Sequence, residues 1–132
     1  MTPIDVLAKF NARSNKNLKG VHPALVKVIE AAMRESKVPF LVTEGLRTKA
    51  RQAELVKAGA SKTMNSRHLT GHAVDIVPIV GREISWKTPA FKEPLDAIRA
   101  VAKRLKVDVE FGADWRTFKD HPHVQLSRKS YP

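Results

Sequence analysis

Between Ala73 and Val80 the chain runs Ala-Val-Asp-Ile-Val-Pro-Ile-Val, an apolar, largely β-branched stretch with one carboxylate, Asp75, set inside it. Such a run reads as a buried strand. An ionised carboxylate there costs on the order of several kcal/mol unless something compensates its charge. Whatever fold the chain adopts must therefore bring a cation to Asp75. A divalent metal ion meets that demand, and so does a guanidinium from Arg47 or Arg67; at this point both solutions stay open.

Around this strand the pattern alternates helices and strands. His22-Pro23 opens a stretch in which Leu25, Val28, Ile29, Ala32 and Met33 recur at helical spacing, ending near Ser36 ahead of Pro39. Val38–Thr43 reads as a short buried strand. Thr48 suits the cap of a second helix that Gly59 ends. Pro94–Lys106 places Leu95, Ile98, Val101, Ala102 and Leu105 on one face of a third helix. Val107–Phe111 and His123–Leu126 complete the set as short strands, and the polar stretch Asn11–Gly20 reads as a loop. No repeat, low-complexity tract or linker divides the 132 residues, so the expectation is one α+β domain over 1–132, a short, mainly antiparallel sheet packed with about three helices.

Composition narrows the chemistry. The chain has no cysteine, so a metal site must be built from His, Asp or Glu. No segment approaches the ~20 apolar residues of a membrane span, and Met1–Phe10 lacks the charged and apolar regions of a signal peptide. The expectation is a product made in the cytosol, without membrane insertion, that needs another factor to leave it. Twenty-four Lys and Arg against 13 acids give a formal charge of +11, which favours anionic partners, either nucleic acid or cell envelope.

The segment Ser66-Arg67-His68-Leu69-Thr70-Gly71-His72-Ala73-Val74-Asp75 places a histidine ahead of the buried acid, with Gly71 permitting a turn between them. Near the C-terminus, Asp120-His121-Pro122-His123-Val124-Gln125-Leu126 puts His123 and Gln125 on one face of a strand. If that strand lies beside the Ala73 strand, His68, Asp75 and His123 form a two-imidazole, one-carboxylate set with a fourth position for water, which suits Zn²⁺. Asp120 is then the candidate general base. Taken singly, each of these residues also has an ordinary structural reading as half of a surface pair.

Ser66, His68, Gly71, Ala73 and Asp75 fill every fixed position of the S-x-H-x-x-G-x-A-x-D pattern of the M15 zinc peptidases, which the chain resembles over roughly residues 38–126. The family includes D-Ala-D-Ala dipeptidases and carboxypeptidases and phage L-alanyl-D-glutamate endolysins. Its second element, an acid three residues before a histidine, is matched by Asp120 and His123, with Asp-x-Pro-His closer to the endolysin branch. The resemblance implies a hedgehog/DD-peptidase-like fold, Zn²⁺ on His68, Asp75 and His123, Asp120 as general base, and His121 as a non-ligand. Glu44-Gly45-Leu46-Arg47-Thr48 resembles the family's Gly-Tyr-Arg-Ser element. Arg47 is placed there to hold a substrate carboxylate or an oxyanion, with a structural salt bridge as its other reading. Ser66 is expected to support substrate or ligands, Trp115 and Phe118 to wall the cleft or fill the core, and His72 to be an outer group or a surface residue.

The resemblance further implies a monomeric phage endolysin that cuts the L-Ala–D-Glu bond of peptidoglycan stems. Such an enzyme accumulates in the host cytoplasm until lysis and then acts in the periplasm, where a charge of +11 favours an anionic wall. A D-Ala-D-Ala dipeptidase or carboxypeptidase would share the metal chemistry. A nucleic-acid-binding module ranks below both, because the basic residues are scattered, aromatics are 6% and no nucleic-acid motif appears.

Overall fold

A computed structural model describes residues 3–132, with side chains from residue 7 onward; Met1 and Thr2, where the signal-peptide expectation begins, lie outside it. The strands β1 (Phe40–Glu44), β2 (Ala73–Val80), β3 (Glu83–Ile84), β4 (Val109–Phe111) and β5 (His123–Leu126) form one sheet in the order β1-β2-β5-β4, with β3 folded back on β2. Every pairing is antiparallel.

Among the described residues there are four α-helices where about three were expected: α1 (Pro3–Asn17), α2 (Pro23–Glu35), α3 (Lys49–Lys57) and α4 (Lys92–Leu105). The difference is α1, which continues through most of the stretch read as a loop. Its second half docks through polar groups. Ser14 is fully buried, and its Oγ accepts from Val42 N at 2.9 Å. Asn17 Nδ2 donates to Val42 O at 2.8 Å and to Thr43 O at 3.1 Å. Hydrophobic periodicity cannot register a helix held this way.

The other three helices follow their sequence signals. Pro23 starts α2, and Leu25, Val28, Ile29 and Ala32 are buried on its inner face. Thr48 caps α3 by accepting from Arg51 N. In α4, Leu95, Ile98, Val101 and Ala102 point inward, while Leu105 at the end of the expected apolar face is exposed.

Alternation along β2 and β5 divides the sheet. Val74, Ile76, Val124 and Leu126 join the core shared with α2 and α4. Asp75, His123 and Gln125 take the opposite face. A single register sets their meeting point: Asp75 lies directly opposite His123, and Ala73 opposite Gln125. On its other side Asp75 pairs with Glu44 across a register shift between Val42 and Glu44.

Candidate active site

His68 sits in a short 3-10 helix, Arg67–Thr70, whose N-cap is Ser66. Ser66 Oγ accepts from His68 N at 3.2 Å, so the serine fixes the turn that carries the histidine. At the other end Gly71 has φ 73°, and a Cβ there would stand 2.4 Å from Gly20 O. Only glycine combines that left-handed backbone with so close an approach. The turn thus brings His68 over β2, where its Nε2 lies 3.1 Å from Asp75 Oδ1.

From β5, His123 Nδ1 approaches the same Asp75 Oδ1 at 3.4 Å. The two imidazole rings stand 5.1 Å apart, nearly edge to face. One donor atom from each of His68, Asp75 and His123 lies within 4.8 Å of the others, as a single bound ion requires.

The outer nitrogens define what the inner ones can offer. His68 Nδ1 is 2.8 Å from Gly45 O, and a carbonyl only accepts, so Nδ1 carries the hydrogen. His123 Nε2 is 2.8 Å from Gln125 Oε1 in the same relation. In their neutral forms both rings therefore aim a lone pair at a carboxylate oxygen. Three acceptors facing one another repel unless a positive charge sits between them. Protons or a metal ion can supply it, and two imidazoles with one carboxylate form a donor set that zinc accepts.

Electrostatics within the protein agree. Burial pushes the Asp75 carboxyl up, yet His123 and His68, which donate to it when their inner nitrogens carry protons, outweigh burial and hold its pKa well below the usual carboxylate range. Burial lowers the His123 pKa, but its bond to Asp75 more than offsets this and the net shift is upward. Asp120 is shifted upward by burial and by the nearby Asp75 charge.

Asp120 lines the same cavity. Its position depends on Gly112, whose carbonyl accepts from Asp120 N at 3.0 Å. A Cβ on Gly112 would meet Asp120 O at 2.2 Å and His123 Cβ at 3.0 Å. His123 N in turn donates to Asp120 O at 3.1 Å, tying the Asp120 carboxylate and the imidazole into one turn. His121 points elsewhere, with its ring 6.1 Å from that of Phe91.

Arg47, not Arg67, is the guanidinium beside Asp75, at 3.6 Å from Oδ2. It is buried, donates to both Glu44 carboxylate oxygens at 2.8 and 2.9 Å, and reaches Gln52 Oε1 at 2.7 Å. Gln52 continues the row to Ser61 Oγ and Thr63 O, anchoring the loop after α3. Arg67 instead donates to Leu126 O and Tyr131 O, pinning the chain end. His72 bonds Thr70 Oγ1 and packs beside His22, outside the cavity lining.

The cavity has a volume of about 900 Å³, with Trp115 and Phe118 along one wall. Trp115 stacks obliquely 5.1 Å from the His123 ring, and Lys62 lies over the Phe118 ring at 5.0 Å. Glu44, Gly112 and Gln125 were not singled out as site residues from sequence. Gln125 carries a signal in its shared strand face with His123, and Glu44 in its place beside the Arg47 element.

A family model for phage L-alanyl-D-glutamate peptidases matches residues 6–130. The chain is 34% identical over 127 residues to the L-alanyl-D-glutamate peptidase of Escherichia phage T5, covering 93% of this chain and 92% of that protein. It is 39% identical over 94 residues to the protein of the same name from Listeria phage A118, of which it spans 32%. Among solved structures, the Serratia marcescens L-Ala D-Glu endopeptidase ChiX matches with a TM-score of 0.87 at 51% identity, covering 92% of this chain and 91% of that one. With motif, fold and near-full-length likeness in agreement, the chain belongs to the phage L-alanyl-D-glutamate peptidase family.

Proposed function

We propose that this chain is a zinc-dependent peptidoglycan endopeptidase that hydrolyses the L-Ala–D-Glu bond of stem peptides and, as a monomeric endolysin, lyses the cell that makes it. One observation carries the reading: His68, Asp75 and His123 aim three donor atoms at one point beside an open cavity, in a member of a family named for that cleavage.

His68, Asp75 and His123 would hold a zinc ion, which when bound would supply Lewis acidity to the scissile carbonyl and to a water at the site. The chain's own groups do the rest. Asp120 takes a proton from the attacking water and returns it to the leaving amine. Its upward-shifted pKa suits both halves of that task. Arg47 holds Asp75 from behind, and its charge favours the developing oxyanion. Ser66 keeps His68 in its turn. The formal charge of +11 draws the enzyme to the anionic envelope, where it reaches peptidoglycan outside the inner membrane.

Digestion of purified peptidoglycan followed by mass spectrometry tests the reading. A new N-terminal D-Glu is the expected product. Release of D-Ala in its place would assign the chain to the dipeptidase or carboxypeptidase chemistry.

A further inference from the structure

His123 and Gln125 lie two residues apart on β5, and Gln125 stands directly opposite Glu110 of β4. The three side chains form a row. His123 Nε2 is 2.8 Å from Gln125 Oε1, and Gln125 Nε2 is 3.2 Å from Glu110 Oε2. Its outer end sets the direction of every donor. An ionised carboxylate only accepts, so the Gln125 amide turns its NH₂ to Glu110 and its oxygen to His123. That oxygen also only accepts, so the His123 proton sits on Nε2. The lone pair is left on Nδ1, the atom that faces Asp75.

We infer that Gln125 and Glu110 are positioning residues that lock His123 in its Nε2–H tautomer and thereby present Nδ1 as a metal ligand. This rests on the proposed ligand set and adds to it the groups that prepare one of its members. The two imidazoles differ in this respect. His68 is oriented by the backbone carbonyl of Gly45, whereas His123 depends on side chains that substitution can change.

The test measures zinc affinity of the intact chain by chelator competition, together with the His123 tautomer from imidazole nitrogen shifts at alkaline pH. Glu110 is exposed, so its variants should fold. Glu110→Lys places a donor where the acceptor was and turns the amide over, aiming a proton at the ligand site. Zinc binding should weaken about 10- to 100-fold, the usual cost of losing an outer partner of a metal-bound histidine. Gln125→Leu should do the same. Glu110→Gln still offers an acceptor and should bind zinc like the wild type. The exchanged pair, Glu110→Gln with Gln125→Glu, also keeps an acceptor against His123 and should bind zinc like the wild type.

Wild-type affinity in both Glu110→Lys and Gln125→Leu, while His68→Ala binds none, would overturn the inference and leave the ligand set standing. Failure of the wild type to bind zinc would remove the ligand set itself. In that event an Nδ1–H tautomer of wild-type His123 would overturn the inference as well, and an Nε2–H tautomer would support the hydrogen-bonded row alone.

Discussion

Asp75 and His123 are directly opposed residues of adjacent antiparallel strands, and His123 Nδ1 lies 3.4 Å from Asp75 Oδ1. Strand register therefore sets the spacing of two of the three candidate ligands, while His68 is delivered by a separate turn. A one-residue slip of β5 would turn His123 into the core and Val124 into the cavity.

Loss of any one of these donors should abolish metal binding. His68→Ala, Asp75→Ala and His123→Ala should each weaken zinc binding by more than the roughly 100-fold typical of outer-partner losses, and peptidase activity should fall with it. A chelator should inactivate the wild type, and added zinc should restore it. Full activity after exhaustive chelation, with no metal found by elemental analysis, would remove zinc from the mechanism.

Asp120 separates chemistry from binding. Asp120→Ala should keep zinc and lose activity by about 10²- to 10⁴-fold. A base must be deprotonated to act, and burial with the Asp75 charge nearby shifts this carboxyl upward. The acid limb of kcat/KM should therefore report this carboxyl, with activity falling as pH drops through its titration. Retained activity in the variant would exclude Asp120 as the base.

Without metal the site should depend on pH through two opposite shifts. Asp75 is depressed, so its contribution to stability is present above the ordinary carboxylate pKa and is lost as pH falls through the lowered value. His123 is raised, so its contribution is complete below the ordinary imidazole pKa and is lost as pH rises through the higher value. Metal-free protein should accordingly lose Tm on the alkaline side of His123's titration. Zinc, which needs neutral imidazoles, should stabilise increasingly over the same range. Thermal melts across pH with and without zinc check this, and a metal-free Tm that rises through that range would contradict it.

Gly112→Ala probes the turn that joins Asp120 to His123. The added methyl meets backbone at 2.2 Å, so the turn must move. A stability loss of about 1–3 kcal/mol is expected, together with weaker zinc binding and lower activity. Unchanged melting, affinity and kcat/KM would show that the turn yields without cost.

Much of this arrangement was legible in the sequence because its signals are local. His68, Gly71 and Asp75 fall within eight residues, and a carboxylate inside an apolar strand demands a partner wherever it occurs. The extent of β2 followed from its β-branched run. Pairings over long separations left no such trace. Arg47 and Arg67 were equal candidates for Asp75 until the register and the short 3-10 turn placed one beside it and the other against the chain end. Gly112 and Glu110 act only through neighbours that the folded sheet brings to them. The second half of α1 carries the sequence signal of a loop because it docks by Ser14 and Asn17, which are polar.

That docking has a consequence beyond shape. β1 borders the sheet, and a bare border invites a strand from another molecule. The Val42 amide and carbonyl are already occupied by Ser14 and Asn17, so α1 blocks intermolecular strand addition at that margin. Replacing both with alanine should promote self-association, seen as growing light scattering in concentrated samples, and a doubly substituted protein that stays monodisperse would show that the border is protected by other means.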